Sequence, residues 1–119
     1  MSILGKLLGS VPSVDASEAR ALVDQGAVMV DVRTTNEWNA GHSPVAIHIL
    51  LSDLGSRLGR VPKGKPVVVV CRSGNRSRGA TRQLIDAGYD AVNLKGGMHA
   101  WHRQGERLID RSGRPGGVA

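Results

Sequence analysis

Short apolar runs alternate along the chain with amphipathic segments, and together they set out a series of strands and helices. Val67-Val68-Val69-Val70 is the strongest run, and Ala27-Val28-Met29-Val30-Asp31-Val32 is nearly as continuous. Runs of this length without polar alternation suit strands covered on both faces, as in a parallel sheet. Ala46 to Ile49 and Ala91 to Leu94 read as further buried strands, and Val11 to Val14 as a small one. Helical patterns lie between them. Asp15 stands three residues before Glu18, a capping-box spacing that opens a helix through Ala19, Leu22 and Val23, which Gly26 closes. Thr34 to Asn39 predicts one short helical turn carrying Trp38, and Leu50 to Leu58 places Leu51, Leu54 and Leu58 on one helical face. Ser77 to Ala87 predicts a helix ended by Gly88. After a Gly96-Gly97 turn, Met98 to Arg103 starts a last helix with Trp101 inward.

Strands and helices in this order give an α/β domain with a central, mainly parallel sheet, and right-handed crossovers put helices on both of its faces. At 119 residues the chain fits one domain. Residues 1–10 read as a lead-in, 11–110 as the domain, and 111–119, RSGRPGGVA, as a frayed tail.

Composition then narrows the chemistry. With no Phe, one Tyr and two Trp, the core must be aliphatic. A formal net charge of +6 favours anionic partners. Basic and aromatic residues are not interleaved as in single-strand binders, so no nucleic acid is expected. One cysteine excludes an intramolecular disulfide and a multi-cysteine zinc site, and the four histidines show no ligand spacing with it. No metal or cofactor is expected. No apolar run approaches the roughly 20 residues of a membrane span, and the start MSILGKLLGSVPSV makes a poor signal peptide. The expected location is cytoplasmic, where a free thiol stays reduced.

That thiol carries the chemistry. The strand Val67–Val70 runs into Cys71, and Arg72-Ser73-Gly74-Asn75-Arg76-Ser77 leads into the next helix. Ligand sites in open parallel sheets lie at the carboxyl ends of the strands, where Cys71 stands. A short strand-to-helix loop containing Gly turns its backbone N–H groups inward as a nest for an anion, and the helix start adds to that field. Arg72 and Arg76 add full charges. These terms favour a thiolate, the nucleophilic form. A lone cysteine is ordinarily a small buried hydrophobe, but a structural core position is not normally followed by six small or polar residues. No G-x-x-x-x-G-K-[ST] is present, which excludes a P-loop, and the sequence positions no histidine as a partner base for a thiol protease.

From about Val11 to Gln104 the chain resembles the rhodanese homology domain. The resemblance rests on Asp31-Val32-Arg33, Glu37-Trp38, Gly41-His42-Ser43-Pro44, Ala46-Ile47-His48, the loop Cys71 to Ser77, Ala87-Gly88-Tyr89, Leu94, Gly96-Gly97-Met98 and Trp101, in that order. It implies a five-stranded parallel sheet flanked by helices. It also implies a sulfurtransferase of the thiosulfate type, in which Cys71 is the nucleophile and persulfide carrier. Arg72, Ser73, Gly74, Asn75, Arg76 and Ser77 would bind the substrate. Arg76 is the first candidate for the sulfonate end of the donor and Arg72 the second, because the residue after the nucleophile tends to point away. The implied partners are a small anionic sulfur donor (thiosulfate or a persulfide), a thiol or cyanide acceptor, and, as an alternative, a protein with which the chain acts as a persulfide-relay module. Phosphatases and arsenate reductases of similar fold separate cysteine and arginine by five residues, whereas four separate Cys71 from Arg76. The C-G-x-G pattern of mercaptopyruvate-using relatives is absent. Ser43, Val45 and Leu50 depart from the family pattern, in a turn and strand away from the loop.

Several residues take structural readings. Asp31 is expected to pair with Arg33, because buried carboxylates survive only when paired or hydrogen-bonded. Arg33 and Glu37, four apart, form a second candidate pair. His42 is assigned a structural hydrogen bond, Trp38 and Trp101 packing roles, and His99 and His102 surface positions.

Overall fold

Four consecutive valines leave a strand no wettable face, and all four residues of Val67–Val70 are fully buried. The computed structural model describes residues 10–119, so the lead-in before Ser10 lies outside the described residues. The valines form β4, the middle strand of a sheet that also contains β1 (Ser13–Val14), β2 (Val28–Asp31), β3 (Ala46–His48) and β5 (Ala91–Leu94). The five strands run in the order β1-β5-β4-β2-β3, and every pairing is parallel. The helices are α1 (Ala16–Asp24), α2 (Thr35–Ala40), α3 (Arg76–Asp86) and α4 (Gly97–Arg103). This is the expected α/β domain, with the sheet parallel throughout.

Period-two alternation along β4 divides the core. Val67 and Val69, followed by Cys71, join Ala80 and Leu84 of α3 together with Ile49 and Leu54. Val68 and Val70 face the other way, onto Ala19 of α1, Met98 and Trp101 of α4, and Leu108. Cys71 therefore continues the α3 side of the sheet.

Local chemistry sets the ends of the helices. Asp15 caps α1 through the Glu18 amide while Glu18 caps Asp15 in return, as its spacing predicts. Thr34 and Glu37 make a second capping box, at the start of α2. The segment 50–58 is not α-helical; it forms 3₁₀ turns at Leu51–Ser56 and Leu58–Arg60. Gly55 and Gly59 weaken an α-helix there, whereas residues three apart eclipse in a 3₁₀ turn, which aligns Leu51 with the fully buried Leu54.

The segment 111–119, expected to fray, is hydrogen-bonded instead. Ile109 pairs antiparallel with His42 and with Pro115. Arg111 N donates to Asn39 O, and Gly117 N donates to Ala40 O. Asp110 Oδ1 organises the turn by accepting from Ser112 N and Arg114 N. The glycines permit the close approach: a Cβ on Gly41 would lie 2.2 Å from Gly117 O. No helix among the described residues is long and apolar enough to cross a membrane.

Candidate active site

The loop after β4 folds around its own cysteine. Gly74 takes φ +105, a conformation that side-chain-bearing residues rarely adopt, and this turns its N–H back onto Cys71 Sγ at 3.2 Å. Ser77, in the first turn of α3, brings its Oγ to 3.2 Å from the same sulfur. The sulfur thus faces donors from both ends of the loop, and Cys71 is only 1% exposed. Burial pushes the thiol up, but the Ser77 hydroxyl and the N–H groups of Ser77, Gly74 and Ser73 outweigh it, and the group ends below its ordinary value. The inward amides expected from the loop are therefore present. Hydrogen bonds, rather than guanidinium charge, are the main support for the anion.

The loop is pinned from behind. Met98 N donates to Cys71 O and His99 N to Arg72 O, so the first turn of α4 holds both carbonyls. This contact requires glycine at Gly97, where φ is +57 and a Cβ would lie 2.4 Å from Cys71 O. From β5, Asn93 Nδ2 donates to Gly74 O at 3.1 Å, and Asn93 Oδ1 accepts from Ser77 Oγ. Sequence reasoning passed over Asn93. A polar residue whose neighbours Ala91 and Leu94 are apolar strand residues was the available signal.

The arginines are placed differently from expectation. Arg76 donates through both terminal nitrogens to Glu37 Oε1 and Oε2, each at 2.7 Å. The Arg76 hydrogen bond, opposed by burial and assisted by Thr34, holds the Glu37 carboxyl down at about 2. Glu37 therefore pairs with Arg76, and the Arg33–Glu37 pair does not form. Arg33 instead donates to Asp31 Oδ2 and to Gly41 O at 2.8 Å, with both charged side chains fully buried. Arg72 is exposed, and its Nε donates to Ala119 O at 2.6 Å. Of the remaining loop residues, Ser73 and Asn75 are exposed while Gly74 and Ser77 are buried. A cavity of ≈ 360 Å³ beside the loop is lined by Val32, Thr34, Leu50, Leu51, Ser52 and Arg76.

His42 makes the structural hydrogen bond assigned to it, through Nδ1 to Trp38 O at 2.7 Å. A carbonyl only accepts, so that nitrogen carries the proton. Trp38 is stacked between His42 and His48, with ring centroids 3.7 and 4.6 Å away. Trp101 is buried, His102 is exposed and His99 is half-buried.

Comparison with known proteins agrees with this geometry. The sequence matches the rhodanese-like domain family over residues 15–104. A rhodanese-like domain protein from Staphylococcus aureus is 32% identical, with a TM-score of 0.74, over 84% of this chain and 98% of that one. The reduced CoADR-RHD protein of Bacillus anthracis is 34% identical, with a TM-score of 0.72, over 76% of this chain but only 16% of its own length. A Rhodopseudomonas palustris protein described as a possible tyrosine phosphatase is 24% identical with a TM-score of 0.74, a likeness of fold alone. With most of its length matched and its cysteine loop closed around the sulfur, the chain belongs to the rhodanese-like domain family.

Proposed function

We propose that the chain is a sulfurtransferase that carries sulfane sulfur as a persulfide on Cys71. The observation that carries this reading is that Gly74 N and Ser77 Oγ both stand 3.2 Å from Cys71 Sγ, two donor groups placed to support a negatively charged sulfur in a buried position. In the first half-reaction the thiolate attacks the outer sulfur of the donor. A new S–S bond forms, the donor's S–S bond breaks, and its electron pair leaves on sulfite (from thiosulfate) or on a thiolate (from a persulfide). In the second, a thiolate or cyanide attacks the terminal sulfur, and the electron pair returns to Cys71.

The donor could be thiosulfate or a persulfide, and the arginine positions favour the persulfide. Arg76 is paired through both terminal nitrogens with the Glu37 carboxylate, which offsets its charge toward a sulfonate, and Arg72 is exposed with its Nε turned to Ala119 O. The cavity beside the loop offers Val32, Leu50 and Leu51 as an apolar ledge, better suited to the carbon skeleton of a thiol carrier or a protein segment. A phosphate ester is disfavoured, because the four-residue spacing makes a small ring and Arg76 faces a carboxylate.

Intact-mass measurement tests the reading. Incubation with thiosulfate or a low-molecular-weight persulfide should add one sulfur atom, cyanide should remove it as thiocyanate, and Cys71→Ser should gain none. A wild-type protein that gains no sulfur from either donor would overturn it.

A further inference from the structure

The hydroxyl of Ser77 has one proton and two acceptors. Asn93 is 3% exposed on β5, and its amide orientation is set by Gly74 O, which can only accept and therefore takes Nδ2–H at 3.1 Å. Oδ1 must then face Ser77, where it too can only accept. On the other side of the hydroxyl lies Cys71 Sγ, at 3.2 Å. With a neutral thiol every partner is satisfied, since S–H donates to Ser77 Oγ and Ser77 O–H donates to Asn93 Oδ1. With a thiolate the chain breaks: the hydroxyl proton turns to sulfur and leaves Oδ1 bare in a buried site, or stays on Oδ1 and leaves the sulfur one donor short. A persulfide would carry its negative charge one atom beyond Sγ, so Sγ would no longer demand the Ser77 proton and Asn93 Oδ1 would be able to take it.

We propose that Asn93 is a positioning residue that competes with Cys71 for the single Ser77 proton, disfavouring the bare thiolate relative to the sulfur-loaded form. The consequence for sulfur transfer rests on reading Cys71 as a sulfur carrier, whereas the competition itself does not. A bare thiolate made less comfortable is a stronger nucleophile toward the donor and a poorer leaving group toward the acceptor, so Asn93 holds the site toward its loaded state. Among the described residues, the charged and titratable groups on the loop and the elements packed against it include Arg76 with Glu37, the Asp31–Arg33 pair, Arg72, His99 of α4, and Arg78 and Lys95, which line a cavity behind it. They are common to all the variants compared below.

The test is a pH titration of the thiolate by its ultraviolet absorbance, in the full chain without any sulfur donor. Asn93→Leu should lower the midpoint by about half to one pH unit, because Ser77 then donates to sulfur undivided. Ser77→Ala should raise it, and adding Asn93→Leu to Ser77→Ala should produce no fall. A purely structural Asn93 predicts the opposite sign, since losing the bond to Gly74 O loosens the Gly74 N–H on the sulfur. A midpoint that rises or stays in Asn93→Leu, or that falls equally without Ser77, would overturn the proposal. Asn93→Ala removes the same acceptor without adding volume, carries the same expected signs, and serves if the leucine variant does not fold. In a second measurement, the persulfidated fraction at equilibrium with a thiol and its persulfide should drop several-fold in Asn93→Leu; an unchanged fraction would overturn the bias toward loading. Absence of sulfur on wild-type Cys71 would strike the sulfur-carrier reading and leave the titration to decide the competition.

Discussion

Replacing Glu37 by Gln would keep an acceptor for the α2 cap and remove the charge that clamps the loop's second arginine. Glu37 Oε1 accepts from Thr34 N and Thr34 Oγ1 at 3.0 Å as well as from Arg76 at 2.7 Å. Chiefly through Arg76, its carboxyl is held at about 2 instead of 4.5, a displacement equivalent to about 3 kcal/mol if it acted unscreened. The Arg76 side chain is 38% exposed, so solvent screens the pair and about 1–2 kcal/mol is the expected contribution. In thermal unfolding at neutral pH the variant should therefore melt about 3–8 °C below the wild type. The folded carboxyl is the more acidic one, so its contribution is complete above pH 4.5 and is lost as the pH falls through about 2. The gap between the two proteins should close over that interval. Equal melting temperatures at neutral pH, or a gap that does not narrow on acidification, would refute the pairing.

Other substitutions probe the loop and the packing behind it. Gly97→Ala puts a Cβ 2.4 Å from Cys71 O at φ +57, and it should cost about 2–4 kcal/mol in denaturant unfolding while slowing Cys71 alkylation. Gly41 has extended backbone, so Gly41→Ala acts only through its 2.2 Å clash with Gly117 O; limited proteolysis should then trim the C-terminal segment while the rest of the domain survives. Alkylation of Cys71 followed against pH should reach half its maximal rate at a lower pH than that of free cysteine measured alongside it.

Much of the fold was legible because its central strands, β2, β4 and β5, are largely buried on both faces. The runs at Val28 and Val67 could be little else, and Gly26 and Gly88, at φ +104 and +95, end their helices where the pattern stops. The cysteine loop was legible for a related reason: inward amides follow from a short turn, and a turn needs only local residues. What stayed hidden depends on contacts far apart in sequence. Glu37 reaches Arg76 across 39 residues, and Arg72 reaches Ala119 across 47, so spacing alone suggested the wrong partner for Glu37. Asn93 escaped notice because its two partners, Gly74 and Ser77, lie 19 and 16 residues away. The segment 111–119 looked loose by composition, yet Gly116 and Gly117 serve close backbone contact with Ala40 and Gly41 rather than freedom.

The valine strand at the centre of the sheet has a cost outside the native state. Val67–Val70 is uncharged, lacks proline and has high β-propensity, the makeup of a segment that self-associates once its neighbours leave. In the folded domain, β2 and β5 occupy both of its edges, so nothing is presented for such pairing. Parallel partners from distant parts of the chain must be found before that shield exists, which slows refolding. Heating this protein at high concentration should thus end in precipitation rather than reversible melting.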